Sequence, residues 1–233
     1  MALDPQDVIR TILKAEGIAP EHRADRPAHP PVIALSRDYG SGGEEIAQIL
    51  ADRLKVPCYD REILDAVAKL AGTDRDLMGR LDENVRSWKD TWIYSVLSGD
   101  SVFTSSYRHH LVDVLLAIAR QGGIIVGRGG HVLLRTRPVF RVRIAGSTPA
   151  CAERVAAREN IDLDDATQKV ERINHERAEF LWNLVQRRLN DATLFDLVVN
   201  TDRLHDWNKL AELILDTMAQ AELPAAVSME VRR

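Results

Sequence analysis

The sequence predicts an α/β protein built on a doubly wound, five-stranded parallel sheet with helices on both faces. Short apolar segments alternate with amphipathic segments from residue 32 onward. A glycine-rich loop joins the first apolar segment to the first amphipathic one. Strands that alternate with helices are typical of a parallel sheet, and such sheets bind ligands at the carboxyl ends of their strands.

The glycine-rich loop predicts an anion site. Residues 32–35 form the first strand, the loop contains Gly40, Gly42 and Gly43, and Ile46 begins the apolar face of the first helix. Glycines let backbone N–H groups converge, and a helix N-terminus adds a partial positive charge. A tight turn that only packs is the alternative, but the strand and helix around the loop favour a phosphate ligand. A side chain at Gly42 is then expected to fill the anion's place.

The other strands follow from short apolar runs at residues 56–59, 124–126 and 197–200. A further strand spans residues 140–144, where three apolar residues alternate with two arginines at the period of a strand. These four segments and the first strand give the five strands of the sheet.

The helices follow from apolar spacing and from capping residues. Residues 62–70, most of 74–121, and 207–219 have helical patterns. Thr148 is predicted to cap a further helix that has Pro149 at its first position. Asp162 or Asp164 is predicted to cap a helix that runs towards residue 189.

Three segments are expected along the chain: an N-terminal helix and proline-rich linker (1–31), the α/β domain (32–220) and a tail (221–233). The net charge of −4 gives no reason to expect a nucleic-acid partner. Two cysteines without close spacing indicate a reduced compartment and no metal cluster. No apolar run is long enough to span a membrane, and a cytoplasmic location is expected.

Two further strand ends carry candidate ligand-binding residues. Arg128 lies in the turn Gly127-Arg-Gly-Gly after the third strand, where its guanidinium can bind a phosphate in bidentate fashion. It can equally be an arginine in a surface turn. Asp60 follows the second strand and can accept a hydrogen bond from a ribose or a base, or it can cap the next helix.

An arginine-rich stretch lies between residues 154 and 188, and phosphoryl transfer uses arginines to stabilise the moving charge. Arg158, Arg172 and Arg177 are the best candidates, because they flank a segment at 159–165 that is expected to be mobile. The alternative is a solvated helix face, since several glutamates lie close enough to pair with these arginines.

The motifs taken together resemble the cytidylate kinase-like proteins, a branch of the nucleoside monophosphate kinases in the P-loop fold. The resemblance covers about residues 32 to 216 and rests on five segments in order: Ile33-Ala-Leu-Ser-Arg-Asp-Tyr-Gly-Ser-Gly-Gly, Tyr59-Asp, Val126-Gly-Arg-Gly-Gly, Arg172-Ile-Asn-His-Glu-Arg-Ala-Glu-Phe and Phe195-Asp-Leu-Val-Val-Asn-Thr.

The resemblance implies a P-loop-type sheet with a helical lid region, and it assigns the candidate residues. Donor phosphates of ATP would bind at Ser36, Arg37, Gly40, Ser41, Gly42, Gly43, Glu44 and Glu45. Asp60 and Arg158 are further nucleotide-binding candidates. Arg128 would bind the acceptor phosphate and Arg158, Arg172 and Arg177 would be lid arginines, so that Arg37, Arg128, Arg172 and Arg177 form the candidate catalytic set.

The loop departs from the family pattern. Gly43 stands where cytidylate kinases have the phosphate-binding lysine, Glu45 replaces the magnesium-ligating hydroxyl, and Gly129 replaces an aspartate. We expect Mg²⁺ to bind mainly through phosphates and water, with no protein metal site, and Arg37 to replace the lysine. The sequence predicts a phosphotransferase acting on a nucleoside monophosphate or similar small acceptor. The alternatives are a regulatory pseudokinase that binds nucleotide without turnover and a purely structural interaction domain. The sequence leaves the oligomeric state open.

Overall fold

The structure, a computed structural model, describes residues 30–73 and 105–223, with the backbone alone for residues 69–73 and 105–106. The elements follow in this order: β1 (Val32–Arg37), α1 (Gly43–Leu54), β2 (Cys58–Tyr59), α2 (Arg61–Thr73), α3 (Ser105–Gln121), β3 (Gly123–Val126), α4 (Gly130–Leu133), β4 (Phe140–Ala145), α5 (Thr148–Glu159), α6 (Leu163–Val185), a 3₁₀ turn (Ala192–Leu194), β5 (Leu197–Asn200) and α7 (Trp207–Gln220).

The five strands form one sheet in the order β2-β3-β1-β4-β5, and each neighbouring pair is parallel. From β1 the chain crosses to β2 on one side, and from β3 it crosses to β4 on the other. The direction of winding therefore reverses between β1 and β3. Ligand sites of doubly wound sheets lie at such a reversal, outside the carboxyl ends of the strands.

Strand β1 is central and buried on both faces, which explains its continuous apolar run. Its side chains alternate between two core clusters, as the pleat of a strand requires. Val32 and Ala34 pack among α2, α3, α4 and the end of α6, whereas Ile33 and Leu35 pack against α1 and α7. The sheet thus has helices on both faces.

Helices α5 and α6 form a smaller unit beside the sheet. A third cluster of buried residues, which includes Cys151, Val155 and Val170, joins the two helices. Helix α6 is long enough, at 23 residues, to pack on α5 with its first half and on the sheet side with Leu181 and Leu184. We call α5 and the first half of α6 the lid unit.

The predicted fold class is confirmed, with several differences at the ends of elements. Strand β2 has only two residues, Cys58 and Tyr59. Ser147 rather than Thr148 caps α5, because its side chain accepts a hydrogen bond from the N–H of Ala150. Asp162 caps α6, and the helix ends at Val185, before residue 189, because Gln186 adopts a left-handed conformation with φ of 52°.

Some predictions fall outside the described residues. These are the N-terminal helix and most of its linker, residues 74–104 of the middle helical region, and most of the tail. The segment boundaries at residues 31 and 220 stay predictions. Among the helices in residues 30–73 and 105–223, none is long and apolar enough to cross a membrane.

Candidate functional site

A cavity of about 310 Å³ lies where the winding of the sheet reverses. Ser36 and Arg37 border it from the end of β1, and the turn after β3 borders it with Gly127, Arg128 and Gly129. Its volume is at the lower end of the range of about 300 to 1,000 Å³ that is usual for small-molecule sites. The fold therefore places a ligand-sized space at the edge of the sheet where the sequence predicts a site.

The lining of the cavity is strongly cationic. It includes four arginines and one carboxylate, contributed by Arg37, Arg61, Arg128, Arg177 and Glu176. Its remaining side chains are a hydroxyl, an imidazole and three apolar groups, contributed by Ser36, His131, Phe180, Leu181 and Leu189. This composition suits an anion that carries an apolar or planar part.

The glycine loop between β1 and α1 is held by packing on both sides. Gly42, with φ of 81°, is the N-cap residue of α1 and offers no side chain to cap it. The first N–H groups of α1 have no partners within the helix, so they are donors for an anion. A Cβ on Gly42 would lie 2.7 Å from the ring of Trp207, and one on Gly43 would lie 2.4 Å from Cβ of Arg37. The expectation that a side chain at Gly42 fills the anion's place was wrong, because it would strike Trp207 instead.

The side chain of Arg37, the last residue of β1, extends from the start of the glycine loop to the cavity. This side chain is 9% exposed, and Nε donates to Oε1 of Glu44 at 2.9 Å. A Cβ on Gly127 would lie 2.8 Å from Nη1 of Arg37, so the glycine leaves room for the guanidinium. Arg37 thus connects the two glycine turns.

Glu44 joins Arg37 to Arg177 of α6. Nη2 of Arg177 donates to the same Oε1 atom at 3.0 Å, and Nη1 donates to the backbone oxygen of Arg37 at 3.1 Å. Burial acts to raise the pKa of Glu44, but the charges of Arg37 and Arg177 outweigh it and lower the pKa. Burial lowers the pKa of Arg177 to about 10, and the charge of Arg37 acts in the same direction. At neutral pH this is a carboxylate held between two guanidinium groups.

Arg128 stands out by its backbone. Four non-glycine residues in the described part of the chain have positive φ. Three of them are the C-cap residues of helices: Lys55, Asn160 and Gln186. Arg128, with φ of 50°, lies instead in the turn after β3. Such strain collects at functional sites. Both Nε and Nη2 of Arg128 donate to the carboxylate of Asp65, and the guanidinium lies 4.0 Å from the ring centre of Phe180. Asp65 also accepts from the hydroxyl of Tyr107 at 2.9 Å.

The base of the glycine loop is fixed by a partly buried ion pair. Nη2 of Arg143 donates to Asp38 at 2.6 Å, and the second oxygen of Asp38 accepts from the N–H of Gly146 at 3.2 Å. Ser41 is fully buried, and its hydroxyl donates to the backbone oxygen of Asp38 at 2.9 Å. Its N–H donates to the same oxygen of Asp38 at 3.4 Å, and its backbone oxygen accepts from the hydroxyl of Thr201 at 2.9 Å. Ser41 therefore fixes the loop and offers a ligand neither its hydroxyl nor its backbone.

The lid unit meets the loop through Tyr39. The N–H of Tyr39 donates to Oδ1 of Asn174 at 2.7 Å, and its hydroxyl donates to Glu159 at 2.5 Å. Glu159 also pairs with Lys169 and with Arg158. Hydrogen bonds from Lys169, Tyr39 and Arg158 lower the pKa of Glu159 to about 2. Contacts across 120 or more residues thus join the lid unit to the loop.

Two predicted lid arginines lie outside the cavity lining. Arg158 is 43% exposed and lies 3.7 Å from Oε1 of Glu45. Arg172 is 62% exposed and pairs with Glu176, one helical turn away, at 2.8 Å. Oδ1 of Asp60 accepts from the N–H of Ile63 at 2.9 Å, so Asp60 caps α2.

A family model described as the cytidylate kinase-like family matches residues 32–203, which is most of the chain. The chain belongs to this family. The match begins with β1 and ends just after β5, so it includes the sheet, the cavity and the lid unit.

One solved structure shares the fold, and two others are weaker likenesses. An uncharacterized protein from Eubacterium ventriosum is 20% identical, with a TM-score of 0.61 over 82% of this chain and 99% of its own. The shikimate kinase of Acinetobacter baumannii, in complex with shikimate, is 15% identical, with a TM-score of 0.44 over 83% of this chain and 95% of its own. The shikimate kinase of Bacteroides thetaiotaomicron is 15% identical, with a TM-score of 0.45 over 82% and 99%. No curated protein matches significantly.

Three residues of the cavity lining were given no role in the sequence analysis. They are Arg61, His131 and Phe180. A usable signal existed for His131, because it follows the glycine turn at the end of β3. In the part of the chain that the structure describes, no group of three or more His, Cys, Asp or Glu side chains could hold a metal ion.

Proposed function

We propose that this chain is an ATP-dependent phosphotransferase that transfers a phosphoryl group to a nucleoside monophosphate or a similar small acceptor. The observation that carries the proposal is the cavity between the ends of β1 and β3, which four arginines line beside the glycine loop. Membership of the cytidylate kinase-like family supports it. The acceptor binds in the cavity and the phosphoryl donor binds at the loop.

The loop fits the phosphates of ATP, which supplies the phosphoryl group when bound. Gly42 has no capping side chain, so the first amides of α1 are available to an anion. Arg37 supplies a fixed positive charge next to these amides, in place of the absent lysine. Magnesium would be held by phosphates and water, because no hydroxyl stands at the usual ligand position and Mg²⁺ retains water readily.

The arginines divide into two roles. Arg128 is held in a strained turn by Asp65 and Phe180, and it orients the acceptor by binding its phosphate. Arg37 and Arg177 lie on the side of the loop and neutralise the charge of the transferring group. Arg158 and Arg172 belong to the lid unit and contribute only through its position.

A regulatory pseudokinase is the second candidate, and Glu44 favours it. Its carboxylate already occupies Arg37 and Arg177, the two cations that a triphosphate would use. Glu45 adds a second negative charge in the same helical turn. A protein of this kind would bind nucleotide without transferring a phosphoryl group.

Calorimetric titration with cytidine monophosphate, other nucleoside monophosphates and ATP, with and without magnesium, tests the proposal together with a turnover assay. We expect both ligand classes to bind and kcat to be lower than the median enzyme value of about 10 per second.

Arg128→Ala should weaken monophosphate binding about tenfold to hundredfold and leave ATP binding unchanged. This loss corresponds to about 1.5–3 kcal/mol, the energy of a charge-assisted contact.

Arg141→Ala is the matched control, because Arg141 also pairs bidentately with a carboxylate, that of Asp196, but lies outside the cavity lining. It should leave both affinities near the wild-type values. Equal losses of both ligands in Arg128→Ala would remove its assigned role. If nucleotides bind and no turnover is detected, the chain is a regulatory pseudokinase and not a phosphotransferase.

A further inference from the structure

Arg61 lines the cavity but has no role in the proposed transfer. It is the first residue of α2, two positions after the end of β2, and it is exposed to solvent. It borders the cavity together with Arg128, which follows the neighbouring strand β3. The fold therefore brings a second guanidinium, accessible to a ligand, to the side of the site where the acceptor binds.

Arg61 differs from the other arginines of the cavity in its charge balance. Arg37 and Arg177 share one carboxylate, and Arg128 is paired with another. Among the residues that the structure describes, none forms an ion pair or a hydrogen bond with the side chain of Arg61. Its guanidinium is therefore available to an anion without first giving up a resident carboxylate.

The position of Arg61 is unfavourable for the stability of α2. The N–H groups at a helix N-terminus carry a partial positive charge, which favours carboxylates and disfavours cations in the first turn. Asp60 caps α2 and Glu62 lies in its first turn, so both suit this field, whereas Arg61 opposes it. Residues that break such local rules are expected at functional sites. A cation that helix stability does not explain, in the lining of a ligand-sized cavity, points to an anionic ligand.

Arg61 and Arg128 follow neighbouring strands, so that one anion can contact both. Tyr59 of β2 pairs with Ile125 of β3, and the two arginines follow these residues by two and three positions. Neighbouring strands lie about 4.8 Å apart. Asp65 accepts from Nε and Nη2 of Arg128, which leaves Nη1 for a ligand. A phosphate monoester has three acceptor oxygens, enough for both guanidinium groups.

We propose that Arg61 binds the phosphate of the acceptor directly and forms a two-arginine clamp with Arg128. This inference rests on the proposed function and narrows the acceptor to a phosphate monoester. Arg128, held by Asp65, fixes the orientation of the phosphate, whereas Arg61 supplies the charge that no carboxylate of the described chain neutralises by direct contact. A small molecule without an anionic group, such as an uncharged nucleoside, gains nothing from this clamp.

The test compares Arg61→Ala with the wild type by calorimetric titration. The probes are cytidine monophosphate, other nucleoside monophosphates, the corresponding nucleosides and ATP. We expect the monophosphate that binds the wild type to bind Arg61→Ala about tenfold to hundredfold more weakly, because charge-assisted hydrogen bonds are lost. ATP, which binds at the glycine loop, should keep its affinity, and nucleosides should not distinguish the two proteins.

Three further measurements separate contact with the ligand from a structural role. Arg61→Ala should unfold in urea at the same or a slightly higher concentration than the wild type, because it removes a cation from a helix N-terminus. Its affinity for the monophosphate should depend less on ionic strength, since one attractive charge is missing. Arg61→Lys keeps the charge without the planar fork and should recover part of the affinity.

Arg203→Ala is the matched control. Arg203 is also exposed and also follows the carboxyl end of a strand, β5, but it lies outside the cavity lining. The control should leave the affinity for monophosphates at the wild-type value. Equal losses in Arg61→Ala and Arg203→Ala would reduce the effect to the overall charge of this edge and overturn the clamp.

Three other results would also overturn the inference. Undiminished monophosphate binding in Arg61→Ala shows that the ligand does not contact Arg61. A loss of affinity together with a loss of stability shows that Arg61 supports the fold and not the ligand. If no monophosphate binds the wild type, the proposed function fails first and this inference fails with it, so the two failures are distinguishable.

Discussion

At the scale of single residues, Glu44 controls how tightly the glycine loop can bind an anion. Its carboxylate accepts hydrogen bonds from Arg37 and Arg177, and it is 43% exposed at the start of α1. A carboxylate stabilises a helix N-terminus, but it also repels a phosphate that approaches the same amides. Ligand binding at the loop therefore has to compete with a resident anion.

Glu44→Gln tests this competition. The amide keeps the size of the side chain and one acceptor oxygen but removes the negative charge. We expect ATP without magnesium to bind about fivefold more tightly, equivalent to about 1 kcal/mol, and the dependence on magnesium to decrease. Calorimetric titration at fixed ionic strength measures both effects.

Glu45→Gln provides the comparison, because it removes the same charge from the same turn of α1 without releasing Arg37 or Arg177. The gain in ATP affinity should be smaller for Glu45→Gln than for Glu44→Gln. If Glu44→Gln binds ATP more weakly than the wild type, then the orientation that Glu44 gives to the two arginines outweighs its repulsion.

The sequence predicted some of these residues and not others, for a physical reason. Arg37, Arg128 and the glycines lie at strand ends, so the local pattern reveals them. The pairing of Glu44 with Arg177 joins residues 133 positions apart, and that of Arg128 with Asp65 joins residues 63 apart. Such contacts depend on where α6 and α2 pack, which the local pattern does not specify. The contacts of Glu44 with Arg37 and Arg177 were therefore not predicted.

At the scale of elements, the glycine loop is fixed between α5 and α7 rather than being open on both sides. A Cβ on Gly40 would lie 2.7 Å from the backbone oxygen of Cys151, and one on Gly42 would meet Trp207 at the start of α7. The glycines are therefore required for packing as well as for amide exposure. Loss of nucleotide binding in a Gly42 variant would not by itself identify a phosphate site.

Gly42→Ala should destabilise the protein by about 2 kcal/mol, since overpacking costs about 1–3 kcal/mol and the positive φ adds strain. Trp207→Leu makes room for the new methyl group. The double variant should therefore be more stable than the sum of the single effects predicts, by about 1 kcal/mol. Urea unfolding of the four proteins measures the coupling, and strict additivity would show that the loop moves away from α7.

Helix ends were predicted less well than helix existence. Ser147 and Asp162 have the expected capping chemistry, but choosing Ser147 over Thr148 depends on backbone angles that only the folded chain defines. The end of α6 at Val185 is set by a glutamine in the left-handed region, a residue that carries no strong termination signal. The local pattern therefore predicts the ends of an element only to within a few residues.

At the scale of the whole molecule, the apolar runs were sufficient for the sheet because parallel strands are buried on both faces. All six residues of β1 are buried, whereas the strand order β2-β3-β1-β4-β5 is known only from the folded chain. The chemistry of the cavity could not be predicted in the same way. It is assembled from β1, the turn after β3, α2, α4 and α6, which meet only when the sheet forms.

Burial of one neutral histidine among these elements links the stability of the whole domain to pH. The pKa of His131 falls from 6.5 to about 3 because burial disfavours the imidazolium, with Arg143 and Arg141 adding to the effect. Between these values the unfolded chain binds a proton at this site and the folded chain does not. The free energy of unfolding therefore decreases as pH falls below 6.5 and continues to decrease towards pH 3.

His131→Phe removes this linkage and isolates it from the titration of the carboxylates, which both proteins share. Between about pH 7.5 and about pH 5, the wild type should lose about 2 kcal/mol more stability than the variant. Urea unfolding at a series of pH values measures the two curves. Parallel curves would contradict the prediction, because they require that the folded protein accept a proton on His131 near its ordinary pKa. The imidazolium would then need a partner within the fold.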